Sequence, residues 1–124
     1  MRNRQENFSI KKRLKSFVFA FNGLKVFILT EHNAWMHLAA TLVVTVFGVY
    51  YRISKKEWIA VCVVIGLVFS MEMINTAIEK LCDVVSPEKR DSIKIVKDIS
   101  AAAVLLSAVV AVVVGLIIFL PKIL

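Results

Sequence analysis

The sequence is poor in the residues from which loops and turns are built. Four glycines and two prolines in 124 residues leave little material for a turn-rich β-barrel, whose corners call for Gly, Asn and Pro. Only two cysteines are present, Cys62 and Cys82. Both sit in or beside apolar runs rather than in the even, loop-borne pattern of a secreted disulfide scaffold, and they read as two buried structural thiols. Residues 1–30 contain no uninterrupted apolar h-region with a small-residue cleavage site, so the first membrane segment is expected to stay in the protein. There is also no GxxxxGK[ST] loop, GxGxxG turn or nucleophile elbow. Any nucleotide must therefore be held by side chains and metal.

Apolar residues, by contrast, are in excess. The chain is 59% hydrophobic with a mean hydropathy of +0.77, where soluble domains are about 45–50% apolar. A charged fraction of 20% excludes disorder, and the length allows one domain at most. These quantities predict a small all-α integral membrane protein. Three apolar runs divide it. Residues 35–51 are flanked by Trp35 and the Tyr50–Tyr51 pair, where interfacial aromatics belong, and the helix is expected to begin near Glu31. Trp58 opens a second run that continues in helical register to about Val85. The third, 99–120, carries no charge, and Pro121 is expected to stop it. Three spans of roughly 20 residues match a hydrocarbon core of ~30 Å.

Charge sets the expected orientation. Residues 1–25 carry Arg2, Arg4, Lys11, Lys12, Arg13, Lys15 and Lys25 against Glu6 alone. From Phe8, the apolar positions Leu14, Phe17, Val18, Phe21, Leu24, Phe27 and Ile28 recur at helical spacing. With lysines opposite, this is the pattern of a helix lying on an anionic membrane surface. The linker 83–98 adds Lys89, Arg90, Lys94 and Lys97, while the hinge 52–57 has three cations and the C-terminus has Lys122. Placing the N-terminus and the linker in the cytoplasm satisfies the positive-inside rule.

The most expensive residues lie on the second span. Glu72, Asn75, Glu79 and Asp83 follow at intervals of three, four and four, which places them along one helix face. The rise from Glu72 to Asp83 is about 16 Å, enough to run from hydrocarbon to the cytoplasmic surface. A carboxylate in lipid costs at least ~2.5 kcal/mol, so the row is read as a functional site. Helix glue alone needs only the Asn. Two carboxylates with an amide suit Mg²⁺ completed by substrate phosphate, or general-base work by the deeper carboxylate. Glu31, His32, Asn33 and His37 open the first span, at a spacing that matches no recognised zinc motif. Lys97-Asp98 stand before the small residues Ser100, Ala101, Ala102 and Ala103, which permit close helix approach.

The segment Glu72-Met73-Ile74-Asn75-Thr76-Ala77-Ile78-Glu79-Lys80-Leu81-Cys82-Asp83 resembles the E-x-x-N-[ST]-A-I-E-x-x-x-D motif of the small prokaryotic integral-membrane lipid kinases, the diacylglycerol and undecaprenol kinases. Lys97-Asp98 with the following Ser100 to Leu105 resembles their K-D element. Residues 17–23 with Glu31, Asn33 and His37 resemble their upstream segment. The resemblance implies one lipid kinase domain over 1–124, with a surface helix at about 8–28 and spans at about 33–51, 57–82 and 98–120, assembled as a homotrimer in the bacterial inner membrane. It implies transfer of the ATP γ-phosphate to a membrane lipid hydroxyl, and no nucleic-acid partner. Glu72 matches the catalytic base, and Glu31 and Glu79 match the Mg²⁺ ligands. Lys12, Phe19, Glu31, Asn75, Glu79, Asp83, Glu88, Lys89, Arg90, Lys97 and Asp98 match ATP-site positions. Asn33, His37 and Glu72 match lipid-binding positions. Lys12 and Phe19 replace the Arg and Tyr of the diacylglycerol branch, and Lys94 stands at its Gly. The Glu31-His32-Asn33…His37 version is closer to the undecaprenol branch.

Two rival readings belong to other classes. A small proton-coupled transporter would use Glu72 or Glu79 to exchange protons, but it leaves Lys97-Asp98 and the surface helix without a task. A non-enzymatic helix-packing subunit would consume no ATP.

Overall fold

The computed structural model describes residues 9–124, so Arg2, Arg4, Glu6 and Phe8 lie outside the described residues. The described chain is all-helical, with α1 Ile10–Thr30, α2 His32–Tyr50, α3 Lys55–Val85 and α4 Asp91–Ile123. It divides after His32 into two units.

In the first unit, α1 is capped by Ser9, whose Oγ accepts from the Lys12 N–H at 3.4 Å. This satisfies one of the amides left unpaired at a helix start. Lys11, Lys12, Arg13 and Lys15 are exposed along it, as are Phe17, Phe19 and Phe21. Helix α1 ends because Glu31 turns extended (φ −105°, ψ 121°), with its N–H closing on the Phe27 carbonyl.

In the second unit, α2, α3 and α4 are each long and apolar enough to cross a membrane. The corner between α2 and α3 is a Schellman turn made without glycine. Arg52 adopts φ 54°, its N–H bonds the Val49 carbonyl at 3.3 Å, and the Ile53 N–H bonds the Gly48 carbonyl at 3.1 Å. Helix α3 then starts on a capping box. The Glu57 N–H donates to Ser54 Oγ at 3.2 Å, and the Ser54 N–H donates to Glu57 Oε1 at 2.8 Å, so two orphan donors are satisfied reciprocally. A small core of Ile53, Val61, Ile118 and Phe119, flanked by Trp58 and Val44, closes this end. Lys122 and Glu57 meet beside it at 3.4 Å.

Helices α3 and α4 pack against each other along their length. They have 31 and 33 residues, or about 46 and 50 Å at 1.5 Å per residue, well beyond a hydrocarbon core of ~30 Å. The expected linker 83–98 therefore contracts to residues 86–90. Lys94, Lys97 and Asp98 are not linker residues but ride on the first turns of α4. Pro121 does not stop α4, which continues through it to Ile123. Proline forfeits one N–H bond, and the following turn still closes through the Leu124 N–H to the Leu120 carbonyl. Of the two thiols only Cys82 is buried, and Cys62 is exposed. Apolar character does not mark burial on a helix whose outer face is apolar too. Leu105, Leu106, Val112 and Ile117 are likewise exposed.

Candidate active site

Glu72 is the buried acid of the second unit, only 4% exposed near the middle of α3. Both of its oxygens are met from α2. Oε1 lies 3.1 Å from His37 Nε2, and Oε2 accepts from Asn33 Nδ2 at 3.5 Å. Asn33 and His37 are one helical turn apart and therefore share a face. The Phe69 ring, one turn before Glu72 on α3, stands edge-on to the imidazole at 5.8 Å and 64°. The Thr41 hydroxyl donates to the His37 carbonyl at 2.7 Å. A carboxylate buried in lipid is tolerable only when partnered in this way.

The polar row then changes neighbours. Asn75 Oδ1 accepts from Ser100 Oγ of α4 at 2.7 Å, and Ser100 is itself buried. Asp83 Oδ1 accepts from Lys97 Nζ at 2.8 Å. Lys97 lies just before the uncharged run 99–120. One turn earlier on α4, Lys94 Nζ donates to Asp98 Oδ2 at 2.6 Å, and Arg90 reaches Glu88 at 3.7 Å. Around these groups opens a hollow of about 650 Å³, lined by Asp83, Glu88, Lys89, Arg90, Lys97 and Asp98 among others. Half-buried Glu79 occupies α3 between Asn75 and Asp83.

The structure thus brings six of the expected nucleotide-site residues to one hollow. Asn75 faces a separate apolar hollow with Ile74, Ile78 and Ser100. Lys12 and Phe19, exposed on α1, and Glu31 at its end belong to the first unit. Among the described residues, no three His, Cys, Asp or Glu side chains gather to hold a metal. The sequence reading missed the contact of His37 with Glu72 and that of Ser100 with Asn75. The i,i+4 pair of Asn33 and His37 at the mouth of an apolar run was the available signal.

One helix, α3, thus carries a buried carboxylate at Glu72 and, about 16 Å further along, a charged hollow at Asp83. Residues 18–119 match the family described as Prokaryotic diacylglycerol kinase, and the chain belongs to that family of membrane lipid kinases. It is 38% identical over 113 residues to a protein named undecaprenol kinase from Bacillus subtilis, covering 91% of this chain and 92% of that one. It is 35% identical over 112 residues to a protein named diacylglycerol kinase from Synechocystis sp., covering 90% of this chain but 64% of that one.

Proposed function

We propose that this lipid kinase transfers the γ-phosphate of ATP to the hydroxyl of a membrane polyprenol of the undecaprenol type, with Mg²⁺, at the cytoplasmic face of the bacterial inner membrane. Glu72 carries the reading, being a carboxylate buried on a membrane helix with both oxygens held from one side. The near full-length match to a protein named undecaprenol kinase supports the choice of lipid over diacylglycerol.

Glu72 takes the proton of the attacking hydroxyl as its oxygen bonds the γ-phosphorus and the bond from that phosphorus to the β,γ-bridging oxygen breaks, so that ADP leaves and the lipid phosphate remains. Phosphoryl transfer asks the protein mainly for positioning and charge stabilisation. Lys97, Lys89 and Arg90 supply cations beside the phosphates, while Asp83, Glu88 and Asp98 set the rim of the nucleotide hollow. Asn75 orders the polar row between base and nucleotide. The family resemblance assigns Lys12 and Phe19 of α1 to the nucleotide as well. Asn33 and His37 lie at the lipid's headgroup end.

Glu79 would hold Mg²⁺, which would supply neutralising charge to the phosphates, and the family resemblance assigns Glu31 to the same role. Their hard oxygens fit an ion that takes one or two carboxylates plus substrate phosphates and keeps several waters, so no three-ligand protein cage is needed. The whole of 1–124 works as one domain. Helix α1 lies on the anionic cytoplasmic surface with the N-terminus inside, as the positive-inside distribution supports. Three copies assemble, covering part of the apolar surface that a single chain exposes.

The test is phosphorylation of undecaprenol and of diacylglycerol, side by side in micelles with ATP and Mg²⁺. Glu72→Gln keeps the size and polarity of the side chain and removes the base. It should cost about 10²–10⁴-fold in kcat, the usual worth of general-base catalysis, with assembly unchanged. Full turnover by Glu72→Gln refutes the base assignment, and a preference for diacylglycerol refutes the choice of lipid.

A further inference from the structure

We propose that His37 is a positioning residue for the reaction: its Nε2–H fixes the Glu72 carboxylate that takes the proton, and its main effect is on turnover rather than on lipid binding. The inference rests on the reading of Glu72 as the base. A base must be ionised, and an ionised carboxylate only accepts hydrogen bonds. The 3.1 Å contact between His37 Nε2 and Glu72 Oε1 therefore requires the proton on Nε2, whether the imidazole is neutral or charged. With Nε2 donating to Oε1 and Asn33 Nδ2 to Oε2, the carboxylate plane is set by two donors from one helix.

The imidazole is itself held. The edge of Phe69 packs on it at 5.8 Å, and the exposure of its side chain falls to 25%. Beyond the ring begins an apolar hollow of about 250 Å³ between α2, α3 and α4, lined by Thr41, Val64, Val68, Phe69 and Ala108 among others. His37 lines this hollow and Glu72 does not, so the imidazole stands between the carboxylate and the apolar space. A carboxylate left without its donor there would pay the cost of an unpartnered buried charge or rotate away from the attack line.

The experiment is steady-state kinetics of the full chain in micelles with ATP, Mg²⁺ and the lipid alcohol, comparing His37→Leu, His37→Asn and His37→Gln with the parent and with Glu72→Gln. Losing a hydrogen bond to a charged group should cost His37→Leu about 10- to 100-fold in kcat, with KM for ATP and lipid little changed. His37→Asn keeps a polar side chain but is too short to reach Oε1, and it should lose kcat like the leucine variant. His37→Gln restores an N–H at similar reach and should recover most of the loss. The asparagine variant keeps the comparison open if the leucine variant folds poorly. A raised lipid KM at parental kcat, or equal impairment of the asparagine and glutamine variants, overturns the proposal. If Glu72→Gln is inactive while His37→Leu turns over like the parent, this inference fails alone. If Glu72→Gln is fully active, the reading of the base fails and takes this one with it.

Discussion

Gly48→Ala tests the corner that joins α2 to α3. A Cβ at this position would stand 2.6 Å from Trp58 Cη2, 2.9 Å from Cζ2 and 3.1 Å from Ile53 Cδ1. Carbon atoms rest at about 3.5–4.0 Å, so the overlap with the indole is about 1 Å at two atoms. Ile53 can yield because the clash is with the end of a flexible side chain. The indole is rigid and packs against the core of Ile53, Val61, Ile118 and Phe119, so relief requires turning the ring or moving α2. Overpacking of this kind costs about 1–3 kcal/mol, and two overlapped ring atoms argue for the upper half of that range. Replacing a helical glycine by alanine returns about 1 kcal/mol. The net expectation is destabilisation by about 1–2 kcal/mol, read as a shift in the unfolding midpoint in mixed micelles under increasing denaturing detergent. Trp58→Leu removes the obstructing ring. On that background Gly48→Ala should become neutral or stabilising by up to about 1 kcal/mol, and the double-mutant cycle should return a coupling of about 1–3 kcal/mol. A Gly48→Ala variant as stable as the parent would refute the reasoning, because the propensity gain would then have met no steric cost.

Two further changes probe the same unit. Arg52→Gly frees a left-handed residue from its Cβ penalty (φ 54°) and should stabilise by about 1 kcal/mol in the same unfolding assay. A loss of stability would show that the arginine side chain contributes more than the strain costs. Ser100→Ala removes the 2.7 Å donor to Asn75 Oδ1 and should cost about 0.6–2 kcal/mol, the range for side-chain hydrogen bonds between membrane helices. Unchanged stability would mean that Asn75 finds another donor.

How much could be read from the sequence differs by element and by kind of contact. The three membrane helices were legible because a long apolar run leaves few other structures open, and α1 because its apolar spacing is helical. The corner at Arg52 was not, because the usual glycine signal is absent and an arginine takes the left-handed position. The length of α4 was misjudged at both ends. Its first turns are charged and read as linker, and Pro121 reads as a stop although a last-turn proline forfeits a single bond. The row from Glu72 to Asp83 was visible in its spacing. What each member touches was not, since the partners Asn33, His37, Ser100 and Lys97 come from helices distant in sequence. Periodicity orders residues around one axis and carries no information about which neighbouring axis each one meets.

That division of partners is what gives the row its use. Glu72 and Asp83 are separated by 11 residues on α3, about 16 Å at 1.5 Å per residue, and a helix is a stiff ruler. At the Glu72 end, α2 supplies a neutral amide and an imidazole. These hold a carboxylate without placing a permanent cation in the hydrocarbon, where one costs at least ~2.5 kcal/mol. At the Asp83 end, α4 supplies Lys97 and its neighbours, where water is at hand and full charges are cheap. Exchanging the two sets would strand a lysine in lipid and leave the hollow without cations. Asn75 and Ser100, polar but uncharged, lie between the two ends, where the environment changes from one regime to the other. The lengths of α3 and α4 beyond the bilayer core follow from the same requirement. A shorter hairpin would span the membrane equally well, but it would bring the charged hollow at the Asp83 end down into the apolar layer and lose the separation between a carboxylate kept from water and full charges that need it.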